Sequence, residues 1–378
     1  MNSIETHPRL YPTKWPSASH STTVADSCDD IIPSGVLQVT PITNHPNHEF
    51  GAEVSGIDWS RPVPDETVRQ VRKYVKTAKI LTIANGHQLI ALQDKYAVIV
   101  IRKTGLDNDR HIAFSHRLGS QLEVNPFYAG KANDRVGVDE LWDVSNIELD
   151  GSLVQPDSRR WHHSLGNALW HTDSSYHQQR SKYSLLLSHG NPQRGGFYTH
   201  FADTRRAYAD LPVAMKEALA GLVVEHDLWH SRKLGSPSVY GAPSSSERAK
   251  KPPAYHRLVQ PTPSGKQTLY LAAHAKRILG MDSESEPAET RDPDADVLGA
   301  GEEDIQKSQA LIWELINHCT QPQYVFSLEW LHGGDMVWWD NRQCMHRANP
   351  YTVDMTARDV RRSTVVDDGP YAWGVSSA

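Results

Sequence analysis

The segment Leu169-Trp-His-Thr-Asp-Ser-Ser-Tyr176 decides how the rest of the chain is interpreted. It contains His171 and Asp173, which are separated by one residue. Residues i and i+2 of an extended strand project to the same side, so this spacing predicts that both side chains reach one metal ion. A lone His-x-Asp pair is also a common surface feature, so the prediction needs a third ligand and further support.

His346, in the segment Trp338-Trp-Asp-Asn-Arg-Gln-Cys-Met-His-Arg347, is the best candidate for the third ligand. Two imidazoles and one carboxylate on one face of a metal form the facial triad of non-haem iron(II) oxygenases, which leaves the opposite face open. The chain has 20 His, so the choice of His346 by itself adds little. The same donors bind zinc in hydrolases. A zinc hydrolase and a non-catalytic binding protein are therefore alternatives.

An arginine cluster follows His346, in Ala357-Arg-Asp-Val-Arg-Arg-Ser-Thr-Val-Val366. On a strand, Arg358 and Arg362 would face the same way. Arginine is suited to bidentate binding of carboxylates, so two such side chains beside a metal predict two anionic ligands. The alternative is a solvated charged surface, in which the arginines pair with Asp354, Asp359, Asp367 and Asp368.

Composition excludes several classes of protein. The net charge of -6 gives no basic footprint for nucleic acid, and no apolar run is long enough to predict a membrane span. The N-terminus lacks the basic and apolar regions of a secretory signal. Three widely spaced cysteines argue against a disulfide framework. We therefore expect a cytoplasmic protein with no nucleic-acid or membrane partner.

The distribution of periodic segments predicts an α+β protein built on a β-sandwich or barrel. Residues 1–36 are rich in Ser, Thr and Pro and predict a disordered arm, followed by a single domain over 37–378. Polar stretches predict surface insertions near 233–268 and 282–301. Helices are expected over 65–78, 107–118 and 302–319, and strands over 96–101, 183–187, 324–329, 335–339 and 362–366.

Several motifs, in a shared order, resemble the taurine dioxygenase/2,4-dichlorophenoxyacetate dioxygenase family. The similarity runs with gaps from about residue 36 to 374, and it is greater to the phenoxyacetate branch. The motifs are Glu49–Gly56, His111–Gly119, Asp143–Asn146, Trp170–Tyr176, Lys182–Leu186, Gly195–Gly196, Thr199–Asp203, Ala272–Ala275 and Trp339–Val366.

The resemblance implies a double-stranded β-helix, a jelly-roll and cupin-like fold, with flanking helices. It implies iron(II), 2-oxoglutarate and O2 as cofactor and co-substrates. His171, Asp173 and His346 would bind the iron, Thr199 and Arg358 would bind the distal carboxylate of 2-oxoglutarate, and Arg362 would face the acidic group of the primary substrate.

The activity implied is hydroxylation of a small anionic organic substrate, of the aryloxyalkanoate or sulfonate type. 2-Oxoglutarate would be decarboxylated to succinate and CO2. Alternatives are a xanthine-type purine dioxygenase, against which Arg362 argues, and a catalytically impaired metal-binding homologue. By analogy with such folds, a homo-oligomer is expected.

Two segments depart from the family pattern. Residues 80–94 read as an insertion where the family has a tight connection. The motif Gly195-Gly-Phe-Tyr-Thr199 has one residue more than the usual Gly-Gly-x-Thr.

Overall fold

The ten-residue strand Ser181–Gly190, of which the first eight residues are buried, lies inside a seven-stranded sheet. The computed structural model describes residues 37–43, 49–68, 89–124, 135–191, 197–279, 302–349 and 356–375. The expected arm at 1–36, the insertion at 282–301 and the Gly195–Gly196 pair lie outside these ranges.

The described strands are β1 Gln38–Pro41, β2 Ala52–Ser55, β3 Val98–Ile101, β4 Trp142–Asp143, β5 Ser181–Gly190, β6 Tyr198–Asp203, β7 Val223–His226, β8 Ala254–Arg257, β9 Val259–Pro261, β10 Gln267–Leu269, β11 Ala275–Leu279, β12 Val325–Glu329, β13 Met336–Asp340, β14 Cys344–Ala348 and β15 Asp359–Val366. The described α-helices are α1 Asp65–Val68, α2 Leu89–Tyr96, α3 Asn108–His116, α4 Arg159–Leu165, α5 Thr204–Ala209, α6 Val213–Leu219, α7 Leu228–Gly235, α8 Ser245–Lys250 and α9 Glu302–Cys319. Short 3-10 helices span Gly166–Ala168 and Pro322–Tyr324.

Strands from both halves of the chain alternate within the sheets. The large sheet has the order β1-β2-β3-β13-β5-β15-β4, and β2 with β3 is its one parallel pair among the described strands. A three-stranded sheet has the order β12-β6-β14, and a second has the order β11-β7-β8. Because neighbouring strands come from distant parts of the sequence, residues near 171 and near 346 can meet.

The large sheet and the β12-β6-β14 sheet share one apolar layer. Phe201 and Phe326 of the small sheet belong to the same buried cluster as Leu186, Val337 and Trp339 of the large sheet. Residues on one face of a strand alternate with those on the other, so each strand contributes every second side chain to this layer. Two sheets therefore face each other across it, and the candidate site lies among these side chains.

Helices cover the outer faces of the sheets. Leu89 and Phe114, from α2 and α3, pack with Leu185 and Trp338 on the outside of the large sheet. The 18-residue α9 has its apolar side packed with Ala202 and Met345, on the outside of the small sheet. The prediction of an α+β protein and of a helix at 302–319 is confirmed.

One local prediction differs from the structure. Tyr96 ends α2 instead of opening a strand, because Ala97 adopts a left-handed φ of 61° that separates the helix from β3. Residues 89–94 of the expected insertion belong to α2, whose Leu89 and Leu92 are buried in the core, while residues 80–88 lie outside the described ranges.

The predicted surface insertion over 233–268 contains regular secondary structure. This segment contains α8, β8, β9 and β10, and Lys251 and His256 within it are buried. A full capping box between Ser244 and Glu247 starts α8, which explains why a Ser-rich stretch is helical here. The polar composition of this segment therefore gave no indication of its helix and strands.

Among the residues that the structure covers, no helix has both the length and the apolar character needed to cross a membrane.

Trp338 tests the packing of the helical layer on the large sheet. Its ring is fully buried and makes edge contacts with Phe114 and Tyr183. We expect Trp338→Ala to lower the free energy of unfolding by about 3–5 kcal/mol, measured by urea denaturation, because it leaves a cavity in the core. Trp373→Ala, at a side chain that is 65% exposed, should change it little. Equal effects of the two substitutions would contradict this packing.

Candidate metal centre

A two-residue antiparallel bridge joins the two candidate histidines. The backbone N–H of His171 donates to the carbonyl of His346 at 2.9 Å, and that of His346 donates to the carbonyl of His171 at 2.8 Å. Residues that exchange both hydrogen bonds lie directly opposite each other and project their side chains to the same face. The two imidazole centroids are accordingly 4.2 Å apart.

Asp173 completes the cluster. Its Oδ1 lies 3.6 Å from Nε2 of His171 and 3.7 Å from Nε2 of His346. One ligand atom from each residue lies within 4.8 Å of the others, and all three residues are buried. The local conformation differs from the predicted strand: His171 is a single bridge residue and Asp173 opens a turn that continues through Ser174, at φ 56°. Thr172 separates the two residues, and the turn begins only at Asp173, where the ligand atoms of both residues already belong to one cluster.

The tautomer of His171 suits metal binding. Its Nδ1 lies 2.7 Å from the carbonyl oxygen of Leu169, which can only accept a hydrogen bond. The proton is therefore on Nδ1, and Nε2 presents its lone pair toward Asp173. Such a hydrogen bond is the usual way in which proteins orient a ligating histidine. The donor set of two imidazoles and a carboxylate fits a first-row divalent metal such as iron(II).

A hydrogen-bond network holds the Asp173 carboxylate and its backbone. Ser184 of β5 donates to Oδ2 at 2.7 Å. The side-chain oxygen of Asn341 accepts from the backbone N–H of Asp173 at 3.2 Å and from the Trp339 indole at 3.0 Å, while its amide donates to Ser184 at 2.9 Å. Sequence analysis missed Ser184 and Asn341 as site residues, although both lie in motifs that carry the family resemblance.

Arg362 lies at the centre itself. Its guanidinium donates to Oδ1 of Asp173 at 2.5 Å, so it shares the oxygen that faces both imidazoles. Burial alone would raise the pKa of Asp173, but Arg362, His346 and His171 outweigh burial and hold that pKa far below its usual value. A metal bound through Oδ1 would compete with Arg362 for this oxygen.

The alternative of a solvated charged surface fits Arg361 and not Arg362. Arg361 pairs with Asp359 at 3.0 Å. The two other aspartates that the structure describes in this region are engaged elsewhere: Asp367 with Arg180 at 2.8 Å, and Asp368 with Lys182 at 2.5 Å.

Arg358 and Thr199 lie along one face of the small sheet. Thr199 is on β6, two residues from Phe201, which is paired with His346. Its hydroxyl accepts a hydrogen bond from the Trp330 indole at 3.0 Å. Arg358 is 1% exposed, and its guanidinium carbon lies 3.5 Å from the ring centre of Phe197, two residues before Thr199. Arg358 precedes β15, so the prediction of a strand position for it is wrong by one residue.

Comparison with known proteins agrees with this geometry. The family model described as "Taurine catabolism dioxygenase TauD, TfdA family" matches residues 78–364. The chain is 36% identical over 275 residues to the alpha-ketoglutarate-dependent 2,4-dichlorophenoxyacetate dioxygenase of Burkholderia sp. (strain RASC), covering 72% of this chain and 82% of that protein. It is 31% identical over 320 residues to the enzyme of the same name from Cupriavidus pinatubonensis, covering 84% and 95%.

A solved structure is similar over most of the chain. The crystal structure of AAD-2 in complex with Mn(II) and N-oxalylglycine superposes with a TM-score of 0.68 at 30% identity, covering 89% of this chain and 98% of that one.

Ser184 tests the orientation of the carboxylate. We expect Ser184→Ala to weaken Mn(II) binding about 10- to 100-fold, measured by anaerobic titration with electron paramagnetic resonance, because Asp173 loses the donor that fixes Oδ2. Ser188→Ala is the matched control, since Ser188 is also buried on β5 but its hydroxyl contacts Asn191. If both variants bound Mn(II) equally well, the Ser184 contact would have no part in metal binding.

Proposed function

Because this chain belongs to the TauD/TfdA family, and is an iron(II)- and 2-oxoglutarate-dependent dioxygenase, we propose that it hydroxylates a small anionic organic substrate of the aryloxyalkanoate or sulfonate type. The observation that carries the proposal is the buried His171–Asp173–His346 cluster with the Arg362 guanidinium on its carboxylate. 2-Oxoglutarate is decarboxylated to succinate and CO2 in the same cycle.

In this proposal His171, Asp173 and His346 hold the iron. When bound, iron supplies the redox chemistry that couples decarboxylation of 2-oxoglutarate to oxygen insertion, and the protein supplies orientation. The bridge between the two histidines fixes their separation, and Ser184 fixes the carboxylate. The apolar layer around Trp339 and Phe201 keeps bulk water from this part of the site.

Arg358 and Thr199 are proposed to bind the carboxylate of 2-oxoglutarate that is remote from the metal. Arg358 is buried, and its stacking on Phe197 restricts the plane of the guanidinium. A planar guanidinium binds a carboxylate through two parallel hydrogen bonds, and a hydroxyl such as that of Thr199 can donate a third. The low dielectric of the site strengthens this pairing relative to water.

Arg362 is proposed to bind the acidic group of the primary substrate. It already contacts a carboxylate in the site, that of Asp173, and it also stacks near Trp142 with its guanidinium carbon 5.2 Å from the ring centre. A neutral purine needs no such partner, which favours an acid over a xanthine-type substrate. Relatives named for 2,4-dichlorophenoxyacetate and (S)-phenoxypropionate favour an aryloxyalkanoate over a sulfonate.

We further propose that residues 37–378 form one catalytic domain whose two facing sheets are a double-stranded β-helix, with insertions near 80–94, 233–268 and 282–301. The protein is proposed to act in the cytoplasm, consistent with two buried free cysteines, Cys319 and Cys344. Assembly into a homo-oligomer is proposed by analogy with such folds alone.

The cofactor site can be tested without knowing the substrate. Iron(II) and 2-oxoglutarate added to the protein without oxygen should give a weak visible metal-to-ligand charge-transfer band. We expect no band with His171→Ala, which removes a ligand. Arg358→Gln should need about 10- to 100-fold more 2-oxoglutarate, as expected for loss of a charged hydrogen bond.

Two matched controls should keep the wild-type band. His200→Ala removes a buried histidine of β6 that contacts Ser327 and Asn349. Arg347→Gln removes a buried arginine that stacks on Trp170, next to His346 in sequence. Absence of the band in folded wild-type protein would refute the proposed cofactor site and leave the catalytically impaired homologue.

Substrate class is tested by succinate formation with aryloxy acids, alkyl sulfonates and xanthine. We expect turnover with one of the acids, and a larger loss of kcat/KM for the acid than for its neutral amide in Arg362→Gln. Turnover of xanthine alone would instead identify a purine dioxygenase.

A further inference from the structure

A buried lysine lies at the end of a hydrogen-bond chain that leads toward the metal centre. Lys251 is 6% exposed, and its ammonium lies 2.6 Å from Nε2 of His177. Nδ1 of His177 lies 3.2 Å from Oε1 of Glu123, and the other oxygen of Glu123 accepts a hydrogen bond from Ser174 at 2.8 Å. Ser174 directly follows Asp173, so the chain ends beside the candidate ligands.

The hydrogen-bond directions in this chain follow from its chemistry. An ammonium can only donate, so Nε2 of His177 accepts from Lys251. Nδ1 then carries the proton and donates to Glu123. With Lys251 charged, the hydrogen-bond chain joins a cation to the Glu123 carboxylate through a neutral imidazole; burial lowers the pKa of Lys251, and the charge of Glu123 opposes that shift.

Glu123 also lies next to the strand that carries Arg362. Its backbone N–H donates to the carbonyl of Thr364 at 2.8 Å, and Leu122 forms a bridge with Val365. Thr364 is two residues from Arg362 on the same face of β15. Burial would raise the pKa of Glu123, but His177, Ser174 and Arg362 together lower it, so the carboxylate is ionised.

Contacts of both its backbone and its ammonium group fix the position of Lys251. Its backbone N–H bonds to the carbonyl of Glu247, which belongs to the capping box of α8. Its ammonium also lies 5.4 Å from the ring centre of Tyr176. Lysine is rarely buried without a specific partner, and here the partners are His177 and Tyr176.

Arg362 thus has two buried carboxylates near it, Asp173 in direct contact and Glu123 beside its strand. We infer that Lys251, acting through His177 and Glu123, is a positioning residue that keeps Arg362 available for an anionic substrate. Lys251 compensates the charge of Glu123. Without Lys251, Glu123 would attract the guanidinium away from the substrate acid. This inference rests on the proposed function and adds a residue that determines substrate charge.

The test compares the best acid of the substrate panel with its own primary amide. We expect Lys251→Met to raise KM for the acid about tenfold with little change in kcat, because ground-state and transition-state binding of the acid are lost together. KM for the amide should be unchanged, and Lys251→Arg should retain most of the affinity for the acid.

Two further variants separate positioning from structural damage. Lys276→Met is the matched control. Lys276 also pairs with a buried carboxylate, that of Glu225, at 3.1 Å, but it takes no part in the hydrogen-bond chain from Lys251 to Ser174. Glu123→Gln combined with Lys251→Met should restore KM for the acid, because the competing carboxylate is gone. A merely structural role for Lys251 would raise KM for the acid and for the amide alike.

The outcomes distinguish this inference from the proposed function. Absence of the charge-transfer band in folded wild-type protein refutes the proposed function. A normal band and acid turnover, with KM for acid and amide raised equally in Lys251→Met or unchanged for both, overturns the inference alone. Failure of Glu123→Gln to rescue KM also overturns it.

Discussion

The pairing of His171 with His346 is the contact on which the site depends. Two backbone hydrogen bonds between them place both imidazoles on one face, 4.2 Å apart. The pairing requires β14 to be seated in the small sheet beside β6, and it requires the small sheet to face the large one across a shared apolar layer. Ser184 and Arg362, both from the large sheet, then meet Asp173 from the other side. The geometry of the candidate metal centre thus depends on both sheets and on the distance between them.

The buried charges around the site are balanced by nearby charges of opposite sign. Burying an ion costs several kcal/mol unless it is paired and hydrogen-bonded. Asp173 is compensated by Arg362 and the imidazoles, and Glu123 by Lys251 through His177. Each anion therefore has a cation from a different element, which ties β15 and the end of α8 to the segment that carries the ligands. Under the proposed role of Arg362, a substrate acid group meets a guanidinium that is already paired with Asp173, so its affinity depends on how strongly Asp173 competes.

Sequence reasoning selected His171 and Asp173 through the i, i+2 spacing of strand residues. The structure brings both to one cluster, although only His171 has strand-like pairing and a turn begins at Asp173. The arginine spacing led to Arg358 and Arg362, because arginine side chains beside a metal are suited to binding anionic ligands. Glu123 was not found, since its contacts are with residues distant in sequence, and Lys251 was not found, since its burial results from tertiary packing of a segment whose composition is that of a surface loop. The capping box at Ser244 was the one local signal of structure there.

The order in which the chain assembles is constrained by the histidine bridge. Its two residues are 175 positions apart (346 − 171), and the entropy needed to close a loop grows with its length. Once β6 and β14 have paired, with Phe201 opposite His346, the loop that remains to be closed runs from His171 to Phe201, a separation of 30 positions (201 − 171). The bridge therefore forms at low cost after the small sheet and at high cost before it. Loop-closure entropy therefore favours formation of the small sheet before the bridge. The arrangement of the candidate metal ligands then depends on the pairing of β6 with β14, although β6 contributes none of them.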